Sequence, residues 1–281
     1  MTTRFYSICL IFLLASSMFG QIPVKNRFVT VAGEKTLKQT IRTLDEVCPL
    51  TDFVNGRILR DYGAVYVSEP AVRIAYRCML ESDADIEAFQ AAANRVTGAI
   101  GGVQVTLQKP AMDALLAATR AATKQGLSIT PRGGTMASTR SYSDTVRLWN
   151  SRLKPGLRHW TARGEITRAD ADKVLRLPVS DQVHVVLSWE TEHRLWFSKD
   201  LSKSILYSVA APGASQHNFM VALDVAEFAN VRVRKILEQH GWYQTVKSDM
   251  PHFTYLGVQD LKAQGLRPEV SGGQTFWVPD I

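Results

Sequence analysis

The chain has 281 residues, 46% of them hydrophobic and 21% charged, and Lys plus Arg exceed Asp plus Glu by 33 to 26. This is ordinary globular usage at a length that supports one or two domains with a real core, and it excludes wholesale disorder. The positive charges are scattered, without a run of five or six and without interleaved aromatics. That argues against a nucleic-acid partner, whereas the excess suits an anionic polymer such as a cell wall.

The opening MTTRFYSICLIFLLASSMFGQ carries one charge at Arg4, an apolar stretch over 5–14 and small residues ending at Gly20. The pattern reads as a secretory signal peptide over 1–20, which places the mature chain in the periplasm or outside the cell. The apolar stretch is short for a membrane span of about 20 residues, so a membrane is expected as partner only if the segment stays uncleaved. Removing it leaves Cys48 and Cys78. In an exported chain these are expected to form one disulfide closing a loop of about 30 residues, contributing on the order of 3 kcal/mol; two buried thiols are the alternative. Neither lies in a CxxC pair, so thiolate-zinc chemistry has no support.

Residues 21–102 are expected to form a mainly helical N-terminal region, a cap or wall-docking unit. KTLKQTIRTLDEV spaces Leu37, Ile41 and Leu44 for a helix, GAVYVSE reads as a short strand, and DADIEAFQAAANRV is a second amphipathic helix. TGAIGG then reads as a flexible break. A second unit, 103–281, opens with the strand VQVTL. Pro110 suits the first turn of a helix through AMDALLAATRAATKQ, which Gly126 stops. LSIT reads as a strand leading into PRGGTMASTRSYSDTVRLW. A charged helical insertion over about 150–200 holds TRADADKVLRL and PVSDQVHVVLSWETEHRL and is placed to roof a cleft. A short helix follows 205, then the strand VALDV, the helix VRVRKILEQHG and closing strands around HFTYLGV. Such irregular alternation indicates an α+β fold with a small antiparallel sheet and flanking helices.

Within VALDVAEF, alternation puts Ala222, Asp224 and Ala226 on one face, and the small neighbours leave space beside the carboxylate. A buried Asp is costly unless something pairs with it. His217 lies an odd seven positions upstream, so a turn over 218–220 must bring it round to that face. In SDMPHFTYLG, Pro251 biases the preceding residue away from helix. Asp249 therefore stands just before a strand that carries His252 and Thr254 on one face. Two histidines and a carboxylate make a three-ligand zinc set with an open fourth position, and a second carboxylate supplies a general base. His159, His184, His193 and His240 lack such company and read as surface or packing residues, His184 within a core-packing helix.

The segment PGASQHNFMVALDV resembles the PG-x-S-x-H-x-x-G-x-A-x-D motif of the VanY-type D-alanyl-D-alanine carboxypeptidases, peptidoglycan peptidases that share a zinc fold with the hedgehog signalling domain. DMPHF resembles their acid-x-x-His element, in a form similar to that of the L-alanyl-D-glutamate endopeptidases of phage endolysins. The resemblance covers roughly 103–260. It implies a hedgehog/DD-peptidase-like fold, His217, Asp224 and His252 as Zn2+ ligands, and Asp249 as base. TRSYSDTVRLW is similar to the family's R-S-Y-x-x-Q stretch, with Thr145 where the family has Gln. That implies Arg140 beside the reacting carbonyl, with Arg132 as the competing candidate for the same substrate contact. Ser215 either binds substrate in the family manner or caps the turn. Met220 replaces the motif's glycine; a methionine can serve there with its backbone at negative φ, and its side chain is expected to occupy space near the metal. These matches imply an exported peptidase acting on peptidoglycan stem peptides, first as a D,D-carboxypeptidase and second as an endopeptidase within the stem. A wall-binding protein that keeps zinc for structure is the alternative.

Overall fold

The computed structural model describes residues 28–31, 40–247 and 249–281, so the expected signal segment over 1–20 lies outside the described residues. Strand β1 (Phe28–Val31) pairs antiparallel with β2 (Thr40–Thr43), and the short helix α1 (Leu44–Val47) follows directly. Sequence spacing led us to expect one helix through this stretch. Thr40, Ile41 and Thr43 are β-branched, and a pleated backbone accommodates them better than a helix does.

Helix α2 (Phe53–Tyr62) starts at Asp52, whose carboxylate accepts the Asn55 N–H at 2.8 Å, an ordinary N-cap. It continues into a 3-10 helix, Gly63–Val67, where a strand was expected. Gly63, Ala64, Val65 and Tyr66 are all buried, so the apolar run there marks burial on every side and not a pleat. Cys48 and Cys78 form the expected disulfide, with Cα atoms 4.9 Å apart. After α3 (Asp83–Ala92), β3 (Arg95–Ile100) and β4 (Val103–Gln108) form a hairpin across Gly101 and Gly102, at φ +54° and +81°. TGAIGG is thus strand and tight turn, a conformation glycine adopts at little cost, and the 102/103 division falls between two paired strands.

Helix α4 (Lys109–Thr123) carries Pro110 in its first turn as expected. LSIT does not form a strand. Only Pro131, just after it, makes an isolated antiparallel bridge, to Val225, and a residue without an N–H cannot extend the ladder. The long α5 (Tyr142–Ala162) begins with a capping box between Ser141 and Asp144, and α6 (Arg168–Arg176) and α7 (Val179–Glu192) complete the helical stretch. As expected for a surface histidine on a core-packing helix, His184 lies on the exposed side of α7, edge-on to Phe53 at 6.3 Å, while Val183, Val186 and Leu187 are buried. A 3-10 helix, Ile205–Tyr207, leads to β5 (Ala222–Asp224), α8 (Val231–Gln239), β6 (Trp242–Tyr243) and β7 (His252–Tyr255). A hairpin of β8 (Leu266–Ser271) and β9 (Gln274–Pro279) ends the described chain.

The class is α+β, with small antiparallel sheets and several helices. One sheet, in the order β5-β7-β6, positions the candidate site. A continuous buried cluster draws on both halves of the chain, from Ile58 and Leu59 of α2 through Leu107, Leu115, Trp149 and Leu187 to Phe219 and Phe253. Glu190, fully buried on α7, accepts hydrogen bonds from Ser204 Oγ (2.6 Å) and the backbone N–H groups of Ile205 (2.6 Å) and Phe197 (3.3 Å). Its carboxylate therefore pins the loop that leads back to the site.

Candidate metal centre

Antiparallel register sets Asp224 directly opposite His252, with Leu223 opposite Phe253 and Ala222 opposite Thr254. Cross-strand partners share a face, so the carboxylate and the imidazole meet through sheet geometry alone. His217 arrives from a turn over 216–220, which includes the turn expected over 218–220. There the Asn218 N–H donates to the Ser215 carbonyl (2.9 Å) and the Met220 N–H donates to the His217 carbonyl (3.2 Å).

Met220 departs from expectation on both counts. Its φ is +54°, the left-handed conformation that the motif's glycine reaches more easily. Backbone bonds hold it there, since its carbonyl accepts the Gln108 N–H at 2.9 Å while its N–H is engaged with His217. The side chain is fully buried and does not line the site's cavity, so it leaves the centre open.

The three expected ligands converge. His217 Nε2 lies 3.1 Å from His252 Nδ1, and Asp224 Oδ1 lies 3.4 Å from each of these nitrogens. A tetrahedral site with 2.0–2.1 Å bonds has ligand–ligand edges of about 3.3–3.4 Å, so the triangle is one face of such a polyhedron. Asp224 Oδ1 is buried and accepts no hydrogen bond among the described residues, although a buried carboxylate oxygen without a partner is costly. Its other oxygen, Oδ2, is held by Arg140 Nη2 at 2.8 Å. The donor set therefore fits a divalent cation, and the group of His217, Asp224 and His252 could hold one.

The electrostatics agree with this arrangement. Burial, helped by the nearby Arg140 charge, lowers the His217 pKa to about 4, so the ring is neutral near pH 7 as a ligand must be. Burial works to raise the Asp224 pKa, but the two imidazoles outweigh it and hold the carboxyl far below its ordinary range. Asp249 moves upward, chiefly through burial and also through repulsion from Asp224, with His252 and both arginines opposing. A carboxyl raised in this way is a stronger base than an ordinary aspartate.

These groups open into a cavity of about 160 Å3 lined by His217, His252, Asp249, Ser215, Arg140 and Arg152, among others. Of the 150–200 stretch expected to roof the cleft, Arg152 alone reaches the cavity; α6 and α7 lie elsewhere. Arg140 lines it while bound to Asp224 and to the Met136 carbonyl (3.2 Å), so its first role here is to orient a ligand carboxylate. Arg132 does not line it. This arginine is exposed, and its guanidinium sits 5.4 Å over the Phe228 ring, although its charge still reaches Asp249. Ser215 is buried at the cavity wall. A larger cavity of about 730 Å3 between α2 and α7 contains none of the ligand set. Sequence reasoning missed Gln216 and Arg152. The signal for Gln216 was a polar side chain beside His217 in an otherwise buried segment, and for Arg152 no local signal exists. Comparison of the chain with family models, curated proteins and solved structures finds no match.

Proposed function

We propose that the chain is an exported zinc peptidase of peptidoglycan stem peptides, acting as a D-alanyl-D-alanine carboxypeptidase on a hedgehog/DD-peptidase-like fold. The observation that carries this reading is the buried triangle of His217, Asp224 and His252, open to a cavity that also holds Asp249. When bound, zinc supplies Lewis acidity, polarising a carbonyl and lowering the pKa of water towards about 7. His217, Asp224 and His252 would hold the ion. Asp249 takes a proton from the attacking water and returns it to the leaving amine, a role its upward-shifted pKa favours. Arg140 keeps Asp224 oriented and places positive charge at the cavity where an oxyanion develops. The cavity volume equals roughly five waters at about 30 Å3 each, room for a residue as small as a terminal D-alanine. That favours the carboxypeptidase over cleavage within the stem, and the basic surface suits an anionic wall.

Metal analysis together with muropeptide digestion tests the proposal. His217→Ala is expected to lose zinc and activity, and Asp249→Ala to keep zinc and lose activity. A wild-type protein that binds zinc but releases neither D-alanine nor stem fragments at any pH would refute the peptidase and leave a wall-binding protein with structural zinc.

A further inference from the structure

We infer that Gln216 is the positioning residue that sets the tautomer of His252, and so aims the Nδ1 lone pair of that ring into the centre; its consequence for zinc rests on the reading above. The Tyr62 carbonyl at the end of α2 can only accept a hydrogen bond, and it lies 3.0 Å from Gln216 Nε2. This fixes which end of the amide is NH2. The oxygen end, Oε1, then faces His252 Nε2 at 2.8 Å, and an acceptor there requires the imidazole proton on Nε2.

A neutral ring protonated at Nε2 carries its lone pair on Nδ1. That is the atom 3.1 Å from His217 Nε2 and 3.4 Å from Asp224 Oδ1. Thr254 Oγ1 donates to the same Gln216 oxygen, and Thr245 Oγ1 lies 2.6 Å from Thr254 Oγ1. Gln216, Thr245 and Thr254 are all fully buried, and reversing the amide would set its oxygen against the Tyr62 carbonyl, acceptor against acceptor. His217 has no equivalent: its Nδ1 is buried without a hydrogen-bond partner among the described residues. Of the two rings, His252 is the one whose tautomer the protein imposes. Outer partners of this kind govern ligand basicity and orientation.

The experiment is 15N NMR of the imidazoles in metal-free protein, with zinc affinity measured by chelator competition, on wild type, Gln216→Leu and Gln216→Glu. In wild type the His252 proton is expected on Nε2. Gln216→Glu keeps an acceptor and is expected to preserve that tautomer. Gln216→Leu is expected to mix the tautomers and to weaken zinc binding about 10–100-fold. A wild-type His252 protonated on Nδ1 overturns the inference, as does a folded Gln216→Leu variant with tautomer and affinity unchanged. Should Gln216→Leu fail to fold by circular dichroism, the wild-type tautomer and the Gln216→Glu spectrum decide. A wild type with the Nε2–H tautomer that takes up no zinc supports Gln216's control of the ring and removes the zinc reading alone.

Discussion

Acidification should destabilise the metal-free protein through His217, and the size of the effect follows from its surroundings. Its pKa is about 4 in the folded state against 6.5 when exposed, because burial disfavours the charged ring. The folded pKa is the lower one, so the unfolded chain binds the proton first as pH falls. Stability is therefore full above 6.5 and declines between 6.5 and 4. Integrated from pH 7 to pH 4, the loss is about 3 kcal/mol. Asp61 works in the opposite sense. Burial raises its pKa to about 6, so its folded state gains a proton over much of the same range and stability rises as pH falls. The wild-type curve alone can look flat, and the informative quantity is the difference between wild type and His217→Asn. We expect urea unfolding in EDTA to show wild type losing about 3 kcal/mol relative to the variant between pH 7 and pH 4. In thermal scans that corresponds to roughly 6–12 °C. Saturating zinc at 100 times its Kd should add about 2.7 kcal/mol at pH 7, and this gain should vanish toward pH 4 as His217 protonates. Parallel curves for the two proteins in EDTA would refute a buried, neutral His217.

Three further outcomes can be checked independently. Arg140→Met strips Asp224 of its cationic partner in a pair only 20% and 15% exposed, which should cost metal-free protein about 2–3 kcal/mol in denaturant titrations. Zinc affinity should fall as well, because Asp224 loses the group that orients it. Met220→Gly relieves a left-handed methionine, a gain of about 1 kcal/mol, but empties a fully buried site at about 2–5 kcal/mol, so net destabilisation is expected by calorimetry. Glu190→Gln replaces one of the carboxylate oxygens that hold Ser204, Ile205 and Phe197, and should lower unfolding free energy by about 2–4 kcal/mol. Limited proteolysis should then find the 197–205 loop first.

Strand alternation made much of the centre legible, because His252 and Thr254, or Ala222 and Asp224, face one side through local backbone period alone. The turn that brings His217 round was legible for the same reason, since an odd separation cannot stay on one face of a strand. Register was not. Nothing within either segment says that Asp224 stands opposite His252 and not a neighbour, since pairing is decided by the whole sheet. GAVYVSE was misread because a run buried on all sides has no period to distinguish a 3-10 helix from a strand. The hairpin of β8 and β9 passed unnoticed despite Gly272 and Gly273, and β6 is too short to announce itself. Met220 shows the converse error: steric preference argued for negative φ, and the backbone bonds to His217 and Gln108 override it. Arg140 was found by its motif, but its bond to Asp224 belongs to tertiary structure.

The bond from Tyr62 to Gln216 spans 154 positions of sequence. A truncated chain begun at residue 103, where a linear reading would cut, would discard one strand of a hairpin and the carbonyl that keeps Gln216 facing His252. The smallest portable version of this centre should therefore begin upstream of residue 53, and a graft that moves only the turn and the two strands would carry the ligands without the part that holds one of them in its working form.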